Sequence, residues 1–303
     1  MSDSPAIPIV TIAIPTYNRV WGLSAAIRSA LAQTFNDFEL VIVDDASEDA
    51  TESAVRSFTD ARIRYERQPR NVGMVANWGA CVARARGRYL LFLADDDRLE
   101  PDFLANRVPL LETRPDVFAV FSRYTVRDAQ GAIKAVALEN WPQTRDLHGG
   151  DLADAAFAGW FIGATLYRTE AVRRIWPELA NDDLVLDCGL NLRLAMTEAG
   201  VAVYIPVCDF RMMAHAGQNS QTKVSEVRVQ KTALLRRLLR DPRSAAIRPS
   251  LRRELYDWLV TWGRTSRETG SRAHALRLFL SAVAVSPFRR AAWLQLVRSF
   301  SPK

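Results

Sequence analysis

Three adjacent carboxylates, Asp95-Asp96-Asp97, follow the apolar run Tyr89 to Leu93 and are the sharpest chemical feature of the sequence. Like charges this close repel one another and gain most from a divalent cation. A hard oxygen site suits Mg2+ or Mn2+, and Mg2+ commonly takes one or two protein carboxylates and completes its shell with phosphate oxygens. The cluster therefore points to a phosphorylated ligand. The competing reading is an acidic turn that caps a following helix, favoured by the helix dipole. Asp44-Asp45 ends a second apolar run, Glu39 to Val43. An ionised carboxylate there accepts from a base or a ribose hydroxyl, or else caps a helix near Asp49. In Arg70-Asn71-Val72-Gly73, the glycine permits close backbone approach and Asn71 offers an amide to a nucleotide.

The elements that must position these groups are legible in the hydrophobic pattern. From Ile9 to about Phe121, short apolar runs alternate with helical patterns, the signature of strand-helix-strand units and a largely parallel sheet. Ile9 to Ile14 reads as a buried strand, and Val20, Leu23, Ile27, Ala30 and Leu31 then recur at helical spacing. Glu39–Val43, Arg62–Arg67 and Tyr89–Leu93 are the next strands. A helix carries Met74, Trp78, Cys81, Val82 and Ala85, and Pro101 opens one carrying Leu104, Val108 and Leu111. In an open parallel sheet, ligands bind in the crevice beyond the carboxyl ends of the strands. Pro15-Thr16-Tyr17-Asn18, Asp44-Asp45 and Asp95 to Asp97 all stand at such ends, so three polar clusters converge on one site.

Residues 122 to 222 are less regular, with a turn at Asp128 to Gly131 and a loop from Trp141 to Gly150, and complete the same domain. Beyond them, Leu251, Leu255, Trp258, Leu259 and Trp262 share a helical face, as do Leu276, Phe279, Leu280 and Val283, and again Trp293, Val297 and Phe300. These read as antiparallel helices. The expected organisation is an α/β ligand-binding domain over 1–222 and a basic amphipathic helical region over 223–303.

The chain of 303 residues carries a formal net charge of +6 that hides an asymmetry. Up to Thr222 there are 22 Lys+Arg against 29 Asp+Glu; after it, 18 against 5. A basic tail of this strength suits an anionic neighbour, and a membrane surface or a lipid-linked phosphate fits as well as nucleic acid; the alternative is a solvated helical face. No apolar run approaches the roughly 20 residues of a membrane-spanning helix. The opening Met-Ser-Asp-Ser-Pro lacks a basic signal region, so a cytoplasmic protein, peripheral at the inner membrane face, is expected. Cys81, Cys188 and Cys208 lack Cys-x-x-Cys spacing and read as small buried hydrophobes. Gly-x-Gly-x-x-Gly, Walker, Gly-x-Ser-x-Gly and His-Glu-x-x-His patterns are all missing, which removes support for dinucleotide oxidoreductase, P-loop ATPase, hydrolase and zinc protease readings.

In order along the chain stand Val10-Thr-Ile-Ala-Ile-Pro-Thr-Tyr-Asn-Arg19, Leu40-Val-Ile-Val-Asp-Asp-Ala-Ser-Glu-Asp49, Arg70-Asn-Val-Gly73 and Ala85-Arg-Gly-Arg-Tyr-Leu-Leu-Phe-Leu-Ala-Asp-Asp-Asp97. This series resembles the family 2 glycosyltransferases of the GT-A fold. The resemblance implies an α/β fold with a mostly parallel central sheet flanked by helices, followed by a C-terminal α-helical region. It also implies a nucleotide-diphosphate sugar donor, a divalent metal (Mn2+ or Mg2+), no nucleic-acid partner, and inverting transfer to the hydroxyl of a glycan or lipid-linked acceptor in surface polysaccharide or glycoconjugate synthesis. By the same resemblance Pro15, Thr16, Tyr17 and Asn18 line the nucleoside pocket, and Asp45 with Asp44 contacts the base. Asn71 and Gly73 lie near the nucleoside, and Asp95 touches the ribose. Asp96 holds the metal with Asp97 beside it, and His215, in Arg211-Met-Met-Ala-His-Ala-Gly-Gln-Asn-Ser220, approaches the metal or diphosphate. Inverting transfer needs one general base for the acceptor proton. Asp182, Asp183 and Asp187 are the candidates, and Asp187, which opens a helix similar to the family's later acidic motif, is the expected one. Two rival readings are a non-catalytic nucleotide-sugar-binding scaffold and a sugar nucleotidyltransferase, although the latter's glycine-rich opening loop is missing.

Overall fold

The computed structural model describes residues 7–215 and 222–300. The opening pentapeptide and residues 216–220 of the His215 segment lie outside the described residues. Two compact units divide the chain, Met1–Gln218 and Asn219–Lys303.

The first unit is built on a mixed ten-stranded sheet flanked by helices. Strands β1 (Val10–Thr16), β2 (Phe38–Asp44), β3 (Ile63–Arg67) and β4 (Tyr89–Phe92) are mutually parallel in the order β3-β2-β1-β4. Helices α1 (Val20–Leu31), α2 (Thr51–Arg56) and α3 (Met74–Arg84) connect them. The near-continuous apolar runs of β1, β2 and β4 are explained by burial along every residue, as expected of strands covered on both faces. Ile12, Leu40 and Leu91 meet Leu23 and Ile27 of α1 in the core.

The strand β5 (Arg98–Leu99) and helix α4 (Val108–Thr113) follow. The helix expected to open at Pro101 opens only at Val108: residues 101–107, with Leu104, are turns, and α4 has Pro109 in its first turn and buries Val108 and Leu111. Tertiary partners hold this stretch in place of a helical ladder. The Gln33 side chain donates to Glu100 O and accepts from Leu104 N, and Thr34 N donates to Pro101 O. Strand β6 (Val117–Arg127) turns at Asp128 to Gly131 into β7 (Ile133–Ala137), and the loop before Gly150 contains a short strand, β8 (Arg145–Leu147). Helix α5 (Gly149–Ala158) leads to β9 (Thr165–Arg168), which enters antiparallel to both β4 and β6 and makes the sheet mixed. Helices α6 (Thr169–Ile175) and α7 (Leu186–Thr197) precede β10 (Val201–Met213), parallel to β6. Trp160 is core: its Nε1 donates to Thr165 Oγ1 at 3.0 Å and its ring stacks on Phe121 at 5.0 Å. Cys81 is buried and Cys188 half-buried, but Cys208 is exposed because β10 changes register on either side of it.

In the second unit, α8 (Val224–Arg240), α9 (Arg248–Glu268), α10 (Arg272–Val285) and α11 (Arg290–Phe300) pack as helices. Gly263 of α9 lets the Phe279 ring of α10 approach so closely that a Cβ would stand 2.4 Å from it. The buried stripe of α10 is Ala275, Leu278, Phe279 and Ala282, so Leu280, expected on the core face, points outward. On α11, Ala292 and Leu296 are buried, whereas Trp293 and Val297 lie on the outer face. No helix among the described residues is long and apolar enough to cross a membrane.

Candidate functional site

Register brings the polar strand ends level. Thr16 pairs with Asp44 across β1 and β2, and Leu93 N donates to Ala13 O, so the chain leaving β4 passes beside the end of β1. Thr16 Oγ1 consequently donates to Asp95 Oδ2 at 2.8 Å. Arg19, just beyond β1, bridges Asp95 Oδ1 at 3.2 Å and Asp96 Oδ2 at 3.0 Å. On the other side of Asp96, His215 Nε2 lies 2.8 Å from the same Oδ2. Helix α1 reaches this turn closely because residue 22 is glycine: a Cβ there would meet Asp95 O at 2.6 Å.

Two loops are tied together beneath the cluster. Asn18, in the left-handed region at φ 52°, donates its N–H to Ser47 Oγ and accepts from Glu48 N through Oδ1. Asparagine tolerates that conformation. Asp49 accepts from Val20 N at 3.0 Å, which satisfies an open donor at the start of α1. Ala46 also sits at φ 62°, where a Cβ costs roughly 1–2 kcal/mol. Ala46→Gly is therefore expected to raise stability by about 1 kcal/mol, less the added freedom of glycine in the unfolded chain, read as a higher urea midpoint.

Asp45 shapes the neighbouring loop, accepting from Val72 N at 2.7 Å and Gly73 N at 3.0 Å. Gly73 caps α3 at φ 87°, and a Cβ there would meet nothing, so the face beside Asn71 is open. Asp44 departs from expectation. It is 0% exposed, and its carboxylate accepts from Tyr65 Oη at 2.6 Å and Ser47 N at 2.8 Å. It shapes the turn and has no surface for a ligand. Pro15 is buried at its register with Val43, whereas Tyr17 is exposed at the rim.

The carboxylates are under-neutralised. Burial first, and then the neighbouring Asp96 charge, push Asp95 up to about 6 despite Arg19. Burial and Asp96 likewise raise Asp97 well above the usual carboxylate range. A raised folded-state value favours the protonated form, so Asp95 costs stability as pH rises from about 4 to 6. Thermal melts in chelator over that window are expected to fall with pH, and Asp95→Asn to flatten the slope.

The trio expected at the metal is split. Asp96 and His215 face one another, but Asp97 Oδ1 accepts from Met213 N at 2.9 Å. Among the described residues, no three His, Cys, Asp or Glu side chains gather as a preformed metal cage. A carboxylate oxygen and an imidazole nitrogen, set among buried negative charge, fit a cation that keeps most of its shell for water and phosphate.

Of the base candidates, Asp182 is buried and paired with Arg193 at 2.7 Å. Asp183 is exposed and lines a cleft with Gly73 and Trp176. Asp187 sits in the first turn of α7, half-buried, and accepts from Cys188 N at 2.7 Å. Burial raises the Tyr124 hydroxyl, and the charges of Asp187 and Asp97 raise it further, so both carboxylates act on one side chain.

Sequence reasoning assigned no role to Arg19 or Trp21. Arg19 was legible as the one cation that closes the Pro-Thr-Tyr-Asn-Arg motif. Trp21 gave no signal at its helical position, yet its exposed ring meets His215 edge-on at 5.1 Å.

A solved structure of S. aureus TarS 1–349 with UDP-GlcNAc superposes with a TM-score of 0.69 at 13% identity, covering 96% of this chain and 89% of that one. The mannosyltransferase PcManGT of Pyrobaculum calidifontis, solved with GDP-Man and Mn2+, gives 0.60 at 18% identity, covering 97% and 80%. These likenesses establish the GT-A-type α/β fold. In sequence, the chain is 38% identical over 102 residues to the succinoglycan biosynthesis protein ExoO of Rhizobium meliloti, or 34% of this chain and 29% of that protein. It is 30% identical over 120 residues to the Escherichia coli UDP-Glc:alpha-D-GlcNAc-diphosphoundecaprenol beta-1,3-glucosyltransferase WfaP, or 40% and 48%. An uncharacterised glycosyltransferase of Rickettsia typhi matches at 32% over 111 residues, or 37% and 34%. The chain thus spans less than half the length of each of these relatives. The family model for glycosyl transferase family 2 matches residues 11–176, the stretch that carries β1 to α6 and every strand-end carboxylate, and the chain belongs to that family.

Proposed function

We propose that this protein transfers a glycosyl group from a nucleotide-diphosphate sugar to an acceptor hydroxyl, with inversion at the anomeric carbon, in the synthesis of a surface polysaccharide or glycoconjugate. The observation that carries this reading is the connected chain Thr16–Asp95–Arg19–Asp96–His215 at the carboxyl ends of parallel strands. The relatives named for succinoglycan synthesis and for glucosyl transfer to a lipid-linked acceptor support the same class.

In this reading Asp95, oriented by Thr16, accepts the ribose hydroxyls, and Tyr17 and the loop held by Asp45 border the nucleoside. Lone pairs of Asp45 left by Val72 and Gly73 remain for the base. Asp96 and His215 would hold a divalent metal, with Asp97 behind them. Such an ion stabilises the negative charge that grows on the departing diphosphate. Arg19 adds a fixed positive charge beside the same phosphates. Asp187 takes the proton of the acceptor hydroxyl as its oxygen forms the new glycosidic bond and the bond to the diphosphate breaks. The acceptor is a glycan or a lipid-linked sugar, and the basic second unit addresses an anionic membrane surface, with the enzyme peripheral to it.

Incubation with sugar nucleotides and short glycan or prenyl-linked acceptors, with NMR of the product, tests this. The expected product carries the anomeric configuration opposite to that of the donor. Retained configuration, or pyrophosphate release from NTP and sugar phosphate, would overturn the reading.

A further inference from the structure

The loop between α10 and α11 holds Phe288 almost wholly in solvent, at 97% exposure. This is not a slack loop. Tyr256 of α9 clamps it, its hydroxyl donating to Arg289 O at 2.9 Å and accepting from Ala292 N at 2.8 Å. Trp293 Nε1 donates to Pro287 O at 2.8 Å, so the indole stands against the same loop with its polar atom satisfied and its ring half exposed. Trp293, Leu294 and Val297 follow at helical spacing on the outer face of α11, and all three are exposed. Arg290 and Arg298 flank them at positions one helical turn outward, and both are exposed.

The surface thus combines an apolar ridge, held out by a buried tyrosine, with a cationic border. Single exposed apolar residues are ordinary, but a contiguous set marks a binding face. Two occupants suit an apolar ridge: a second copy of the chain and a lipid bilayer. Charge separates them. After Thr222 the sequence carries 18 Lys+Arg against 5 Asp+Glu, so apposing two such units sets like charge against like. An anionic lipid surface attracts the same charge, and an apolar helix face with basic flanks lies in its interface.

We propose that the Phe288 loop and the outer face of α11 are the membrane-docking surface of this protein, with Phe288 and Trp293 entering the headgroup boundary of an anionic bilayer. This rests on the reading of the second unit as membrane-facing given above, and it names the face responsible.

The test is co-sedimentation of the full chain with phosphatidylcholine vesicles, with and without about a third phosphatidylglycerol, at low and high salt. Binding is expected to the anionic vesicles alone and to weaken with salt. Phe288→Ser with Trp293→Ser is expected to weaken it by at least about tenfold, through lost apolar burial. Phe288 is free of the fold and the Trp293–Pro287 hydrogen bond lies in solvent, where water replaces it, so the melting temperature should change little and the nucleotide-induced thermal shift not at all, which separates failure of this surface from failure of the transferase reading. Vesicle binding equal in the double variant and the wild type would overturn the proposal. So would no binding by the wild type, or a wild-type dimer in sedimentation velocity that the double variant converts to monomer.

Discussion

If Asp187 is the general base proposed, replacing it with asparagine is expected to lower kcat by about a hundred- to ten-thousand-fold, the range associated with a positioned general base. Asparagine keeps an Oδ1 to accept from Cys188 N, so the start of α7 retains its internal contact while the proton acceptor is lost. Donor affinity, read as the nucleotide concentration that half-saturates a thermal shift, should stay within about twofold, because the effect lies in the transition state. The acidic limb of the kcat–pH profile should disappear with the carboxylate. A stability loss with an unchanged pH profile would instead assign Asp187 a structural part in capping α7. Near-normal turnover would place the base elsewhere, with exposed Asp183 the next to test, since Asp182 is engaged by Arg193.

Asp96→Ala is expected to lower turnover by about a thousandfold and to abolish the difference between donor binding with and without Mn2+, since several kcal/mol of charge stabilisation depend on the ion. The side chain lost is the one shared by Arg19 and His215. Its removal also relieves like-charge repulsion, because Asp96 is among the causes that raise both Asp95 and Asp97. The ligand-free variant should therefore fold as well as the parent, which separates a lost metal site from a lost structure. Unaltered metal dependence in this variant would move the ion to another carboxylate of the turn.

The parallel half of the fold was legible because its physics is local. Runs such as Leu40 to Val43 and Tyr89 to Leu93 are apolar throughout, as only a strand covered on both faces requires, and the polar residues begin where the strands end. That alignment is why the acidic turn, Thr16 and Asp45 could be grouped without coordinates. What was missed depends on tertiary partners. Pro101 suits a helix by itself, but Gln33 and Thr34 hold its stretch as turns. Asp44 and Asp45 are chemically identical in sequence, yet Tyr65 and Ser47 engage the first and the 71–73 loop engages the second. The outward faces of α10 and α11 read as core because a helical apolar stripe does not say whether it meets protein or something else. Phe279 settles the inward face of α10 only through its fit against Gly263.

The central claim, a metal-assisted sugar-nucleotide site at the strand ends, is tested most directly by the thermal stability of the purified chain against UDP-, GDP-, dTDP- and CMP-sugars, each with and without Mn2+. A ligand that binds only the folded state, at a hundred times its Kd, stabilises by about 2.7 kcal/mol. For a chain of this size that corresponds to a rise of roughly 4 °C. The predicted result is such a rise for one nucleotide class, dependent on Mn2+ and lost in Asp96→Ala. No shift with any donor, or the same shift in wild type and Asp96→Ala, would contradict it.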